Sequence, residues 1–143
     1  MLPGRALAFM QLLWAIAHGL ESTSKRMHSR LGITGPQRLV LRLIGHGSAT
    51  SAGELARLMH VHPSSLTGLL RRLEKARLVE RQPHPFDGRR SLLRLTPSGR
   101  RLDRDKTGTV ESVIERALAT MSERDLRAAQ RALQRVAKSF TEA

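Results

Sequence analysis

Two short helical segments joined by a tight turn, with a change of period straight after them, constrain this chain more than any other feature. Ser51 and Glu54 have the spacing of a capping box and open a segment whose inward residues read as Leu55, Leu58 and Met59. His60-Val61-His62 makes the connection. Pro63-Ser64 then starts a second segment with Leu66, Leu69, Leu70 and Leu73 at i, i+3, i+4, i+7 spacing. Two short helices linked in this way are a helix-turn-helix, in which the second helix is the one that reads DNA.

After Leu78 the helical period stops. Val79 to Gln82 and Ser91 to Leu95 read as short strands around Pro83-His84-Pro85-Phe86-Asp87-Gly88-Arg89-Arg90, a β-hairpin with a long basic tip. Upstream, a first helix is expected from about Leu2 to Arg30. Thr34-x-x-Gln37, with Pro36 in the first turn, caps a second helix carrying Leu39, Val40, Leu43 and Ile44 on one face and ended by Gly45 and Gly47. Downstream, Thr96-Pro97 caps a helix with Leu102, Val110, Val113, Ile114, Ala117 and Leu118. Ser122 opens a last helix striped by Leu126, Ala129, Leu133, Val136, Ala137 and Phe140. The expected fold class is therefore mainly α with a small β-hairpin wing (α+β). Residues 1–143 form a single domain with no linker: a winged helix-turn-helix at 33–99, flanked by N- and C-terminal dimerisation helices at 1–32 and 100–143.

Charge narrows the partner. The chain has 25 Lys and Arg against 12 Asp and Glu, a formal net charge of +13, which calls for a polyanion: nucleic acid or an anionic membrane surface. Arg71, Arg72, Lys75, Arg77, Arg81, Arg89, Arg90, Arg94, Arg100, Arg101, Arg104 and Lys106 all fall between 71 and 106. On the second helix of the pair, the arc opposite the leucines carries Ser64, Gly68, Arg71 and Lys75, flanked by Ser65, Thr67 and Arg72. Hydroxyls at a helix N-terminus suit phosphates or base edges, and arginine forks suit guanine or phosphate. Gly68 costs roughly 1 kcal/mol relative to alanine inside a helix, which points to close approach of the backbone to something. At the wing, Arg89 and Arg90 are placed to enter a narrow minor groove, with Asp87 expected to pair with Arg89 and orient its fork.

Other classes find less support. With no cysteine, disulfides, thiolate nucleophiles, thiolate metal sites and thiol redox sensing are all removed. No G-x-S-x-G, P-loop, G-x-G-x-x-G or H-E-x-x-H occurs, so neither an enzyme nor a cofactor is expected. His60 and His62 lack a third convergent ligand, and no metal is expected. Ala6 to Ala17 is nearly all apolar and ends in Ala15-Ile16-Ala17, a pattern shared with signal-peptidase sites. It is too short to span a bilayer, and it equally suits a helix buried in a dimer. A membrane-surface protein would set basic residues opposite aromatics on one amphipathic helix, and an RNA binder would expose aromatics. The residues favour double-stranded DNA, with a palindromic operator, a homodimer and a cytoplasmic location. A basic nucleic-acid or membrane-surface module without operator specificity is the alternative. Trp14 and His18, one turn apart, are weak candidates for contacting an effector, since a tryptophan on an apolar helix is more often core.

These residues together resemble the MarR family of bacterial winged-helix regulators over nearly the whole chain. The likeness runs through Leu31-Gly32-Ile33-Thr34 with Gln37, Glu54-Leu55-Ala56, Pro63-Ser64-Ser65-Leu66-Thr67, Leu73-Glu74-Lys75 and Leu78-Val79-Glu80-Arg81. Its most specific part is Asp87-x-Arg89 followed by Leu93-x-Leu95-Thr96-Pro97-x-Gly99. The resemblance implies an obligate dimer joined through both chain ends, with recognition helices in successive major grooves and Arg89 in the flanking minor groove. It also implies repression relieved by a small aromatic or phenolic effector, held between the dimerisation helices and the winged region. One position departs: the family usually has glycine before Leu78, where this chain has Arg77. A left-handed backbone there would cost about 1 kcal/mol.

Overall fold

The computed structural model describes residues 4–47 and 51–143, and the expected helix start at Leu2 lies outside them. Helix α1 runs Arg5–Leu31 and stops at Gly32, whose φ of 79° gives the left-handed cap. Helix α2 spans Gly35–Gly45 and starts on the full capping box: Gln37 N–H donates to Thr34 Oγ1 (3.4 Å), and Thr34 N–H donates to Gln37 Oε1 (2.9 Å). Helices α3 (Ala52–Leu58) and α4 (Pro63–Lys75) form the helix-turn-helix, with Ser51 Oγ accepting from Glu54 N–H at 3.2 Å. Strands β1 (Val79–Pro83) and β2 (Ser91–Leu95) pair antiparallel from Val79↔Leu95 to Pro83↔Ser91, one residue longer on β1 than the alternation suggests.

The core is one cluster between Ile33 and Leu95, built from Val40, Leu41 and Ile44 of α2, Leu55 and Ala56 of α3, Leu66, Leu70 and Leu73 of α4, and Val79, Leu93 and Leu95 of the hairpin. The inward faces of two helices are rotated from expectation. On α2, Leu41 is buried and Leu39 exposed; on α3, Ala56 is buried and Leu58 exposed. Short helices rotate to suit the hairpin beneath them, because tertiary packing overrides a two-turn periodicity. Gly99 closes this unit. A Cβ there would stand 2.0 Å from the Leu78 carbonyl oxygen, so only glycine lets α5 pass the backbone at Leu78, just ahead of β1. The Leu78 oxygen itself accepts from Thr96 N–H at 3.0 Å.

Arg77 does occupy the left-handed region, at φ 59°, and His60 joins it at φ 54°. In each case the residue after a helix reverses the chain, at a cost of roughly 1 kcal/mol for a non-glycine.

The helix expected from Thr96 to Leu118 is two helices, α5 (Pro97–Arg104) and α6 (Val110–Leu118). Gly108 (φ 66°) and the buried N-cap Thr109 turn the chain between them. That turn is held by a buried arginine. The Arg38 side chain is 1% exposed, and its guanidinium donates to the carbonyls of Leu102 (2.7 Å), Asp103 (3.3 Å) and Asp105 (3.0 Å) and to Glu111 Oε1 (Nε, 2.8 Å). It caps the C-terminus of α5 and ties α2 to α6. Arg42 adds Asp103 Oδ1 (2.8 Å), and Arg30 of α1 reaches Asp105 (3.3 Å) and the Thr107 carbonyl. Burial pushes the Glu111 carboxyl up, but the hydrogen bond and charge of Arg38, its own backbone N–H and Arg42 outweigh this and hold it below the ordinary carboxylate range. Asp105 is lowered chiefly by the Thr107 N–H, with Arg30 and Arg38 adding to it.

Beyond this unit the chain buries little. Helices α6 and α7 (Glu123–Thr141) contain no buried residue, and α1 buries only Thr23 and Met27. Among the described residues no helix is long and apolar enough to cross a membrane.

Candidate nucleic-acid interface

Helix α4 presents the face the leucine spacing demands. Leu66, Leu70 and Leu73 point into the core, while Ser64, Ser65, Thr67, Gly68, Arg71, Arg72 and Lys75 are exposed. Its N-terminus is set by His62, a cap the sequence reading missed. The Ser64 N–H donates to His62 Nδ1 at 3.2 Å, and the Ser64 hydroxyl lies 2.8 Å from the same nitrogen. An imidazole nitrogen can take the place of the usual Ser, Asp or Asn oxygen because it too offers a lone pair to the first-turn N–H groups. Thr67 Oγ1 donates back to the Pro63 carbonyl at 3.0 Å, so the hydroxyl can still accept from a ligand but its proton is already engaged. A Cβ added at Gly68 would meet nothing of this chain within 4 Å, so any close approach there is to a separate molecule.

The cations of this region divide into two groups. Arg81 pairs with Glu74 and Arg94 with Glu80; Gln82, with its amide turned over, accepts from Arg94 as well. Arg100 donates to the Leu95 carbonyl (3.1 Å) and Arg101 to Ser98 Oγ (2.9 Å). Among the described residues the side chains of Arg71, Arg72, Lys75, Arg89 and Arg90 have no acceptor. Free charge thus gathers on the outward face of α4 and at the tip of the wing, though Arg77, Arg104 and Lys106 of the same cluster also have no acceptor among the described residues. Glu74 reaches Arg81 across the α4–hairpin junction, while Glu80 faces Arg94 directly across the two strands.

Asp87 does not pair with the Arg89 guanidinium, as the sequence suggested. Its Oδ1 accepts from the Arg89 backbone N–H at 3.0 Å, while the Arg90 N–H donates to the Asp87 carbonyl at 3.1 Å. An aspartate two residues ahead of an amide closes a turn on that amide more readily than it reaches a flexible side chain. Asp87 thus shapes the loop and leaves both arginine forks free.

Trp14 and His18 stand exposed on α1, Trp14 at 67%. A cleft of about 280 Å³ lies elsewhere, between the end of α2, β2 and α5, lined by Ile44, Gly45, Arg94, Leu95, Arg100 and Asp103 among others. Among the described residues no group of three or more His, Asp or Glu side chains could hold a metal ion, His60 and His62 included.

Residues 31–90 match the model of the MarR family. The chain is 30% identical over 125 residues to the HTH-type transcriptional repressor Rv2887 of Mycobacterium tuberculosis, an alignment covering 87% of this chain and 90% of that protein. Among solved structures it resembles a MepR-like protein complexed with pseudoligands (TM-score 0.77, 23% identity, 99% of each chain). It also resembles the Staphylococcus aureus MepR–DNA complex (TM-score 0.74, 21% identity, 92% of this chain and 97% of that one).

Proposed function

The chain belongs to the MarR family of transcription regulators, and from that premise we propose that it is a homodimeric, ligand-responsive repressor of the cytoplasm that binds a palindromic duplex operator. The observation that carries the reading is that the exposed face of α4 and the wing tip bring together five cations, Arg71, Arg72, Lys75, Arg89 and Arg90, with no acceptor among the described residues. Helix α4 enters the major groove with Arg71 and Arg72 toward base edges or phosphates, Lys75 toward a phosphate, and Ser64, Ser65 and Thr67 near the backbone at the helix N-terminus. Gly68 lets that helix sit low in the groove. Asp87 holds the wing turn, from which Arg89 and Arg90 reach the minor groove, where the potential of a narrow tract favours arginine.

The chain divides in use: residues 33–99 read DNA, while 1–32 and 100–143 bring two copies together. Exposed Leu7, Leu12, Trp14 and Ile16 of α1 and Leu133 and Phe140 of α7 support this, since so many large apolar side chains are left uncovered on the two terminal helices. Trp14 and His18 stand on the surface assigned to the partner. An aromatic or phenolic effector held there would be enclosed only in the dimer.

Arg89→Ala is expected to weaken operator binding by about 1–3 kcal/mol with the dimer unchanged. Titration of the operator at physiological salt, with sedimentation in parallel, is the check. An affinity within twofold of wild type would remove Arg89 from the interface.

A further inference from the structure

Phe86, at the wing tip, is 94% exposed, more than any other large apolar side chain among the described residues. The exposed apolar side chains of α1 and α7 lie on surfaces assigned above to a second copy. Phe86 stands apart from them, in the hairpin loop among the unpaired cations. A single surface phenylalanine on a slack loop needs no explanation, but this loop is braced. Pro83 and Pro85 restrict φ on either side of His84. The His84 N–H donates to the Arg90 carbonyl at 3.1 Å, which closes the loop over Pro85 to Arg89. Within it, the Phe86 N–H donates to His84 Nδ1 at 3.1 Å, and the two rings meet edge to face with centroids 6.2 Å apart at 63°. The imidazole supports the ring from one side, and the ring's other surfaces face solvent rather than the hairpin.

We propose that Phe86 is a minor-groove wedge. This rests on the DNA-binding reading above: where Arg89 enters the groove, the Phe86 ring presses between the sugars and base edges of an adjacent step, partly unstacks it and bends the duplex. Burial of the ring offsets the unstacking. Unstacking costs least at pyrimidine–purine steps, so the wedge selects a TA or CA/TG step under each wing without a hydrogen bond to any base. A phosphate-binding wing would have no use for a phenyl group, and a wing that read only groove width would not select a flexible step.

The probe is the duplex enriched by this protein from a random pool, end-labelled to report bending by energy transfer. Wild type is expected to bend it by at least about 20° at each wing. Phe86→Ala should lower affinity about tenfold and reduce the bend, with the slope of log K against log salt unchanged, because no phosphate contact is lost. Phe86→Leu, which keeps an apolar wedge, should retain most of both. Replacing the step beneath the ring by a stiff A-tract should weaken wild type but not Phe86→Ala, which, with Arg89 intact, should bind the narrower groove at least as well. Equal affinity and equal bend for wild type and Phe86→Ala would overturn the wedge while leaving DNA binding intact. So would a loss seen only with RNA polymerase present, which would make Phe86 a protein contact. Failure of wild type to enrich any duplex would overturn both readings.

Discussion

Arg38→Met is expected to destabilise the chain by about 3–5 kcal/mol, the largest effect of any single substitution outside the apolar core. The methionine fills the space of the aliphatic stem, so the loss is that of the guanidinium. Its removal leaves the carbonyls of Leu102 and Asp105 without this donor, leaves that of Asp103 to Arg42 alone (3.3 Å), and takes from Glu111 its 2.6 Å charge partner. Arg42, at 3.5 Å from Glu111, compensates only in part. Glu111→Gln should cost less, because the amide oxygen still accepts and three carbonyls keep their donor. Urea unfolding of both variants is the measurement; a loss below 1 kcal/mol for Arg38→Met would mean the buried cation is dispensable. The same group sets an acid limit. Glu111 titrates lower in the folded chain than unfolded, so the stability it contributes is full above its unfolded value, near pH 4.5, and is lost as pH falls through its lowered folded value. Asp105 acts in the same direction. In Glu111→Gln the midpoint of acid unfolding should become less steep, since one linked proton is gone.

The second large effect is expected at the far end of the chain. Leu133→Asp should abolish the proposed dimer and, with it, binding to a full palindrome, while residues 33–99 stay folded. Leu133 is 49% exposed on a helix with no buried residue, so its own chain gives α7 almost nothing to pack against. An obligate interface covering α1 and α7 would bury roughly 2,000 Å² or more. In a two-fold dimer each substitution counts twice. A lost leucine costs about 2–4 kcal/mol and the buried charge adds to it, so dissociation should rise by at least about 1000-fold. Leu133→Met, which conserves volume, should remain dimeric. The proposed pairing would set the recognition helices about 34–36 Å apart, one turn of duplex. Sedimentation of wild type at micromolar concentration, with half-site and full-palindrome titrations, tests this. A wild-type monomer that binds half-site and palindrome alike would end the dimer reading, and a dimeric Leu133→Asp would move the interface off α7.

What the sequence determined by itself was carried by residues within about four positions of one another, although two equally local contacts, the His62 cap and the Asp87–Arg89 turn, escaped it. The Thr34–Gln37 box, the Ser51, Thr96 and Ser122 caps, the leucine face of α4 and the change of period at Val79 are all where the spacing puts them. Such interactions close inside one turn of helix or one strand pair, so composition and register suffice to specify them. The exposed face of α4 follows from the same periodicity, since the residues opposite a buried leucine row have nowhere else to go. What only the tertiary structure decided involves partners distant along the chain. Arg38 reads as one more surface cation until Glu111, 73 residues on, and the end of α5 fold over it. That contact, with the Gly108 turn, is also why one expected helix became two. Arg81 separated from the free arginines only when α4 met the hairpin and brought Glu74 to it. Charge and hydrogen bonding depend on distance in space, and chain closure sets that distance for residues far apart in sequence.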